Sequence, residues 1–267
     1  MEKKQRELCL EILRRFNKAG ILKDLILIGS WSAYFYNEYF AGTPYLDRAA
    51  LKTRDIDFLI DNPAKIKHEV NVPELLSDLG FVIIYKGNKG YIKLEHPDLL
   101  LEFLVLEKGR GIDNPFPLPK LGVNAVALRF LSFLSANTIK IKVEDFYVTL
   151  PHPANFALHK LIIFQRRLKQ DKAVKDRNIA IEILKSLIDK GEYSVIKHVF
   201  DTIPRKWQAR VIKGLDKSED KDILAVLEHY APEELNAINR LVEKKKKHGK
   251  IFNTKKESSR YIKKITK

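Results

Sequence analysis

Cysteine is almost absent from this sequence of 267 residues, because Cys9 is the only one. A single thiol excludes a disulfide framework and a zinc site built from cysteines. This usage suits a reducing compartment, and we predict a cytoplasmic location. Long apolar runs are also missing, since no segment approaches the roughly 20 residues of a membrane helix. The N-terminus lacks the apolar core of a signal peptide, so no membrane partner is expected.

Acidic residues are outnumbered, with 34 Asp and Glu against 49 Lys and Arg and a formal net charge of +15. Such a charge favours a polyanionic partner such as nucleic acid, which binds through neutralised phosphates. General lysine richness is the competing explanation for the same composition. The hydrophobic fraction of 45% is ample for a folded core, which excludes a disordered chain.

The first segment with chemical content is the short apolar run 25–28, which ends at Gly29 and Ser30. Residues 31–40 then have helix-compatible spacing, so the pattern predicts a strand, a tight turn and a helix N-terminus. A helix start offers unpaired backbone N–H groups and a partial positive charge, and glycine lets the backbone approach a ligand closely. The junction is therefore suited to holding a phosphate.

Asp55 and Asp57 precede the apolar residues 58–60 and are two apart, so in a strand both side chains leave the same face. Two carboxylates on one face of a largely buried strand repel each other and lose solvation unless a cation joins them. The pattern predicts a Mg²⁺ (or Mn²⁺) site. The competing interpretation is a sheet with one solvated face, which the apolar residues 58–60 argue against.

Glu102 is a single charge within the apolar strand predicted over residues 99–106. Two interpretations stay open: Glu102 is a third metal ligand, or it forms a buried ion pair with a lysine or arginine. Two metal ions held by shared carboxylates are suited to phosphoryl and nucleotidyl transfer. Glu95 and Asp98 lie nearby but look like turn residues beside Pro97.

Strand patterns end near residue 150, and Pro151-His152-Pro153 marks a boundary after which every apolar pattern is helical. We predict the α/β (α+β) fold class, with a small mixed β-sheet followed by a helical C-terminal domain. The expected units are an α/β domain over residues 1–150 with an N-terminal helix, a helical domain over 151–243 and a basic tail over 244–267. Residues 109–119 are expected to be loop, and residues 121–134 are ambiguous between helix and strand.

The order of these features resembles the DNA polymerase β-like nucleotidyltransferase superfamily. The resemblance rests on Gly29-Ser30, on Thr53-Arg54-Asp55-Ile56-Asp57-Phe58 and on a third acid in a neighbouring strand. The interval from Ser30 to Asp55 is longer than is common in that superfamily. It is similar to the branches that include abortive-infection toxin nucleotidyltransferases and related uncharacterised prokaryotic proteins.

A second match extends the resemblance across residues 21–187. Those branches carry a helix with a lysine and an arginine, and then a Lys-Asp pair at the next helix, as at Lys160, Arg167 and Lys175-Asp176. The spacing of seven predicts that Lys160 and Arg167 share one helix face, from which they reach triphosphate oxygens. A solvated basic face is the competing interpretation for each of these cations.

The resemblance implies roles for the matched residues. Gly29 and Ser30 hold phosphates, Asp55 and Asp57 hold both metals, and Glu102 ligates the metal that activates the acceptor hydroxyl. The remaining matches bind the nucleotide: Lys160, Arg167, Lys175 and Asp176.

The implied reaction moves a nucleoside monophosphate from a triphosphate such as ATP to a hydroxyl of RNA or protein, releasing pyrophosphate. An antitoxin partner is a further expectation of the toxin-like branches. The alternative is a non-catalytic module of the same fold that binds nucleotide or nucleic acid.

Aromatic and histidine side chains near the predicted site have simpler interpretations. Trp31, Tyr34, Phe35 and Tyr39 are able to stack a base, but their helical spacing favours the core. His152 and His159 have no partner cysteine and no metal-binding spacing, which favours capping or packing.

Overall fold

A computed structural model describes residues 3–42, 53–107, 109, 114–216 and 219–228. The predicted basic tail 244–267 lies outside these residues, as do residues 43–52 before the aspartates. Within the described residues, no helix combines the length and apolarity that a membrane span requires.

Seven strands form a mixed sheet in the N-terminal part of the described chain, in the order β1-β2-β5-β4-β3, with β7 beside β5 and β6 beside β7. The pairs β2–β5 and β5–β7 are parallel, and the other pairs are antiparallel. A separate hairpin joins β8 and β9. The strands are β1 (Ile26–Ile28), β2 (Asp55–Ile60), β3 (Val82–Lys86), β4 (Tyr91–Glu95), β5 (Leu100–Leu106), β6 (Phe116–Leu118), β7 (Val123–Leu128), β8 (Thr138–Val143) and β9 (Phe146–Pro151).

Helices flank the sheet and make up the regular structure described after the hairpin. The mixed sheet and the helical C-terminal part confirm the predicted fold class, whereas the division into separate domains stays a prediction. The helices are α1 (Lys3–Lys18), α2 (Ser30–Tyr39), α3 (Val72–Leu75), α4 (Ser132–Ser135), α5 (Pro153–Ile163), α6 (Gln170–Asp189), α7 (Tyr193–Thr202), α8 (Arg205–Gly214) and α9 (Lys221–Leu227).

Strand β2 separates two apolar layers because its side chains alternate between the faces of the sheet. Ile56 and Phe58 are fully buried in the main core, where the Phe58 ring lies 5.4 Å from the ring of Phe16 on α1. Leu59 joins a smaller buried cluster on the opposite face, with Leu104 of β5. Asp55 and Asp57 belong to this second face, so the smaller cluster lies beside the carboxylates.

Helix α5 packs against α2 at its N-terminus. Tyr36 of α2 donates a hydrogen bond of 2.7 Å to the carbonyl of Pro151, and its ring meets Phe156 edge-on. His152 caps the helix by accepting a hydrogen bond from the backbone N–H of Ala154, which confirms the expected capping role. These contacts hold the start of α5, the helix that carries Lys160, against α2.

Two segments differ from the sequence-based expectations. The prediction of loop throughout residues 109–119 is wrong, because β6 pairs with β7 despite Pro117. A strand at the end of a pairing tolerates proline, since one of its edges needs no backbone donor. The ambiguous segment 121–134 contains both a strand, β7, and the short helix α4.

Candidate active site

Gly29 forms the turn between β1 and α2 and lies directly beside Asp57. Its φ of 71° and ψ of −153° place it where side-chain-bearing residues are strained. The antiparallel register pairs Ile28 with Asp57, and a Cβ added at Gly29 would lie 2.6 Å from Oδ2 of Asp57. Close approach of backbone to carboxylate therefore requires glycine here, which agrees with the predicted strand, turn and helix.

We expect Gly29→Ala to destabilise the fold more than Gly87→Ala does. Both glycines have a positive φ, 71° and 67°, but a Cβ at Gly87 meets nothing within 4 Å. A positive φ costs a residue with a side chain about 1–3 kcal/mol, and this cost applies at both positions. The clash with Asp57 should add about 1 kcal/mol or more at Gly29 alone. Urea denaturation of the two variants measures the difference, and equal losses would contradict this account.

Three carboxylates lie on one face of the sheet. The parallel register of β2 and β5 pairs Asp55 with Leu100 and Asp57 with Glu102, so Asp57 and Glu102 face the same side of neighbouring strands. Burial raises the pKa of Asp57 to about 7, and the charges of Glu102 and Asp55 add to the effect. The carboxylates thus lie close enough to repel each other, as the sequence predicted for the two aspartates.

Glu102 has a cationic partner of its own. Lys93 on β4 donates a hydrogen bond of 2.6 Å from Nζ to Oε2 of Glu102. Of the two interpretations of Glu102, the ion pair is the one seen in the structure. Across the described ranges, no three His, Cys, Asp or Glu side chains are grouped so that they could hold a metal ion.

The fit of a divalent cation to this face therefore differs between the carboxylates. Asp55 and Asp57 offer hard oxygen donors, and burial together with the neighbouring carboxylates raises the pKa of Asp57, so a bound cation would favour its ionised form. These two residues fit a divalent cation. Glu102 is engaged by Lys93, so its assignment as a metal ligand stays a prediction.

Asp57 should make the metal-free fold less stable as the pH rises. The unfolded carboxyl has a pKa of about 3.9, and the folded one has a pKa of about 7, so the folded chain binds this proton more tightly. Stability contributed at acid pH is then lost on ionisation, by at most about 1.4 kcal/mol per pH unit. The free energy of unfolding of wild type minus that of Asp57→Asn, measured in urea with a chelator, should fall from pH 4 to pH 7. A constant difference would contradict the assignment.

Lys160 and Arg167 meet through a shared acid rather than along one helix. Helix α5 ends at Ile163, and Arg167 follows a short 3-10 turn in extended conformation, so the prediction of one helix face is wrong. Asp176 on α6 accepts hydrogen bonds from Lys160 Nζ at 2.6 Å and from Arg167 Nε at 2.8 Å. Burial raises the pKa of Asp176, but Lys160 and Arg167 outweigh it and lower the pKa below its usual value.

Helix α6 brings two further lysines to the aspartates. Lys172 Nζ lies 3.8 Å from Oδ2 of Asp55. Burial and the charge of Lys160 lower the pKa of Lys175, while Asp176 and Asp55 act in the opposite direction. Lys172 and Lys175 are three apart on one helix, so they share a face that is directed toward the carboxylates.

Lys93 and Lys172 are the residues of this site that sequence analysis missed. Each lies in a pattern that was visible: Lys93 alternates with Tyr91 and Glu95 along β4, and Lys172 precedes Lys175 by three on a helix. Neither pattern says which acid the lysine meets, because that depends on how distant elements pair.

The aromatic residues of α2 serve the core. Trp31 is fully buried and Phe35 is nearly so, while Tyr34 and Tyr39 are partly buried against the same core. The expectation of a packing role is confirmed. His159 is also buried, and its burial together with the charge of Lys160 lowers its pKa to about 3, so it is neutral at physiological pH.

Comparison with known proteins adds a family match to this geometry. The profile of a family described as "Nucleotidyltransferase" matches residues 7–199. No protein with a curated description matches the chain significantly.

Two solved structures are similar to the chain. One is the crystal structure of an antigenic nucleotidyltransferase-like protein from Paracoccidioides brasiliensis, with 13% identity and a TM-score of 0.45, covering 84% of this chain and 93% of that one. The other is the solution structure of the antibiotic-resistance factor ANT(2'')-Ia, with 13% identity and a TM-score of 0.40, covering 74% and 97%. Both scores lie below 0.5, so the profile match is what bears on function.

Proposed function

The chain belongs to this nucleotidyltransferase family, and from that premise we propose that it transfers a nucleoside monophosphate from a nucleoside triphosphate to a hydroxyl group. The acceptor oxygen attacks the α-phosphorus and its proton passes to solvent, the bond between the α-phosphorus and the oxygen that bridges to the β-phosphate breaks, and pyrophosphate leaves. Mg²⁺, or Mn²⁺ in its place, is the proposed cofactor.

The observation that carries the proposal is the contact between the Gly29 turn and the Asp57 carboxylate. It places a helix N-terminus, which favours phosphate, directly against the carboxylate that favours a divalent cation. A triphosphate with its bound cation has both requirements in one molecule. Neither feature alone would distinguish a nucleotide site from an ordinary turn or an ordinary acidic residue.

The residues of the chain then have separable tasks. Asp55 and Asp57 would hold the cation, which as a Lewis acid polarises phosphate oxygens and stabilises the leaving pyrophosphate. Backbone N–H groups at Gly29 and Ser30 bind phosphate oxygens at the start of α2. Lys172 and Lys175 supply positive charge from α6, on the side of the site that faces Asp55.

Lys160 on α5 interacts with acidic residues of both β2 and α6. Its charge lowers the pKa of Asp57, opposing the effect of burial, and its ammonium is held by Asp176. Arg167 shares that acid from the opposite oxygen and keeps a side chain that is 41% exposed, which allows it to reach a bound nucleotide. In this scheme Asp176 orients the side chains of both Lys160 and Arg167.

RNA is the acceptor that the composition favours. The net charge of +15 matches a polyanion, and binding of this kind weakens steeply as the salt concentration rises. A protein hydroxyl is the other acceptor to test. Use of ATP, membership of the abortive-infection toxin type and an antitoxin partner stay predictions of the sequence resemblance.

Transfer from each of the four α-labelled ribonucleoside triphosphates onto total cellular RNA and protein tests the proposal. Label should appear with wild type in the presence of Mg²⁺ or Mn²⁺ and be absent from Asp55→Ala/Asp57→Ala. The triphosphate used names the donor, and the labelled fraction names the acceptor. Metal-dependent triphosphate binding without any label would instead support the non-catalytic module. If RNA binding depends on salt and is unchanged by both aspartate substitutions, and no label is transferred, the protein binds nucleic acid without transferring nucleotides.

The non-catalytic module is a second candidate because of one contact. Lys93 pairs with Glu102 at 2.6 Å, and that pairing withholds the third carboxylate from a metal. If the reaction requires three metal-binding carboxylates, this chain binds nucleotide without turning it over.

A further inference from the structure

We infer that this site binds one divalent cation. A second cation would need Glu102 as a ligand, and the ammonium of Lys93 already pairs with that carboxylate. The inference rests on the proposed function, and it concerns only how many cations the carboxylates hold. Sites with two cations hold them about 3.5–4 Å apart and share carboxylates between them. At this site Asp55 and Asp57 are left for a cation, because Lys172 Nζ lies 3.8 Å from Asp55 whereas Lys93 Nζ lies 2.6 Å from Glu102.

Sheet geometry sets the position of Lys93. Antiparallel pairing of β4 with β5 joins Leu94 to Leu101 and Glu95 to Leu100, so the next residues along the two strands are Lys93 and Glu102. Directly opposed side chains on neighbouring strands lie within about 5.5 Å at Cβ, which suits an ion pair. The pairing therefore follows from the backbone register and does not depend on a loop.

Because the pair is largely buried, separating Lys93 from Glu102 costs free energy. The side chains of Lys93 and Glu102 are 14% and 19% exposed, so both charges have lost most of their contact with water. Removing one partner of a largely buried pair leaves the other charge uncompensated. A second cation would have to displace Lys93 from Glu102 or share the same carboxylate with it, and like charges so close repel strongly.

Asp57 connects the pair to the cation site. It lies opposite Glu102 in the parallel register and beside the Gly29 turn, so Lys93 stands on the far side of Glu102 from β2. The fixed charge of Lys93 then supplies positive potential at that side of the site at every metal concentration. Lys93 is a positioning residue in this scheme, because it acts through Glu102.

Counting bound Mn²⁺ tests the inference on the full chain without nucleotide. The electron paramagnetic resonance signal of free Mn²⁺ gives the number of sites and their Kd. Wild type and Glu102→Gln should each bind one Mn²⁺, although the Kd of Glu102→Gln should be higher because the charge of Lys93 is then uncompensated beside Asp57. Binding of two Mn²⁺ by wild type, with one of them lost in Glu102→Gln, would overturn the inference.

Substitution of Lys93 provides the complementary arm. Lys93→Met frees Glu102, and we expect a second Mn²⁺ to bind, whereas Lys93→Met/Glu102→Gln and Lys93→Arg should each bind one. If Lys93→Met fails to fold, the number of Mn²⁺ sites in wild type and in Glu102→Gln decides alone. Loss of all Mn²⁺ binding in Asp55→Asn/Asp57→Asn is expected, and its absence would count against the proposed function rather than against the role of Lys93.

Discussion

Asp57→Asn should lower the rate of nucleotide transfer about 10³-fold or more while leaving the fold intact. The amide keeps the size of the side chain but removes the charge that binds a divalent cation. Loss of the several kcal/mol of transition-state stabilisation that a cation provides corresponds to a rate loss of this size. Initial rates at saturating triphosphate and metal measure the effect.

Stability distinguishes this result from simple unfolding. Because burial, Glu102 and Asp55 all raise the pKa of Asp57, its ionised form is unfavourable in the metal-free fold. Asp57→Asn should therefore be at least as stable as wild type at neutral pH, although it is inactive. Asp61→Asn is the matched control, since Asp61 is exposed just after β2 and should change neither property. Activity above a tenth of wild type in Asp57→Asn would contradict the role of this carboxylate.

Asp176→Ala should destabilise the protein by about 3–5 kcal/mol, the usual effect of leaving a buried charge without its partner. Asp176 is the acid that Lys160 contacts at 2.6 Å, and only 7% of Lys160 is exposed. Arg167 loses a hydrogen bond in the same variant but remains accessible to water, so its share is smaller. Urea or thermal denaturation gives the free energy of unfolding.

Two further variants make this expectation specific. Asp189→Ala removes an exposed acid from the end of the same helix and should change stability by no more than about 0.5 kcal/mol. Lys160→Met/Asp176→Leu replaces the buried pair with apolar side chains and should recover part of the loss. A double variant as unstable as the sum of its single variants would show that the pair is not coupled.

Local sequence was sufficient to predict how Gly29, Asp55 and Asp57 are arranged. Gly29 ends an apolar run and opens a helix, and Asp55 and Asp57 are two apart in a strand, so their placement depends on neighbours in the chain. Strand alternation is a short-range rule, which is why both carboxylates were expected on one face.

Contacts between distant elements were beyond the same rules. The pairing of Lys93 with Glu102 depends on the register of β4 against β5, which no residue of either strand specifies alone. Helix α5 ends before Arg167 without a glycine or proline to mark the end, so the sequence pattern implied a longer helix. Lys160 and Arg167 were nevertheless predicted as a pair, and Asp176 is what brings them together.

The most direct test follows both ends of the triphosphate in one reaction. A mixture of the four ribonucleoside triphosphates carries the label at the α-phosphate in one sample and at the γ-phosphate in the other, with total RNA and protein as acceptors. The account predicts covalent label from the α-position only, with wild type and Mg²⁺ or Mn²⁺, and none with Asp55→Asn/Asp57→Asn. Covalent label from the γ-position, equal α-label with the double variant, or no label from either position would contradict it.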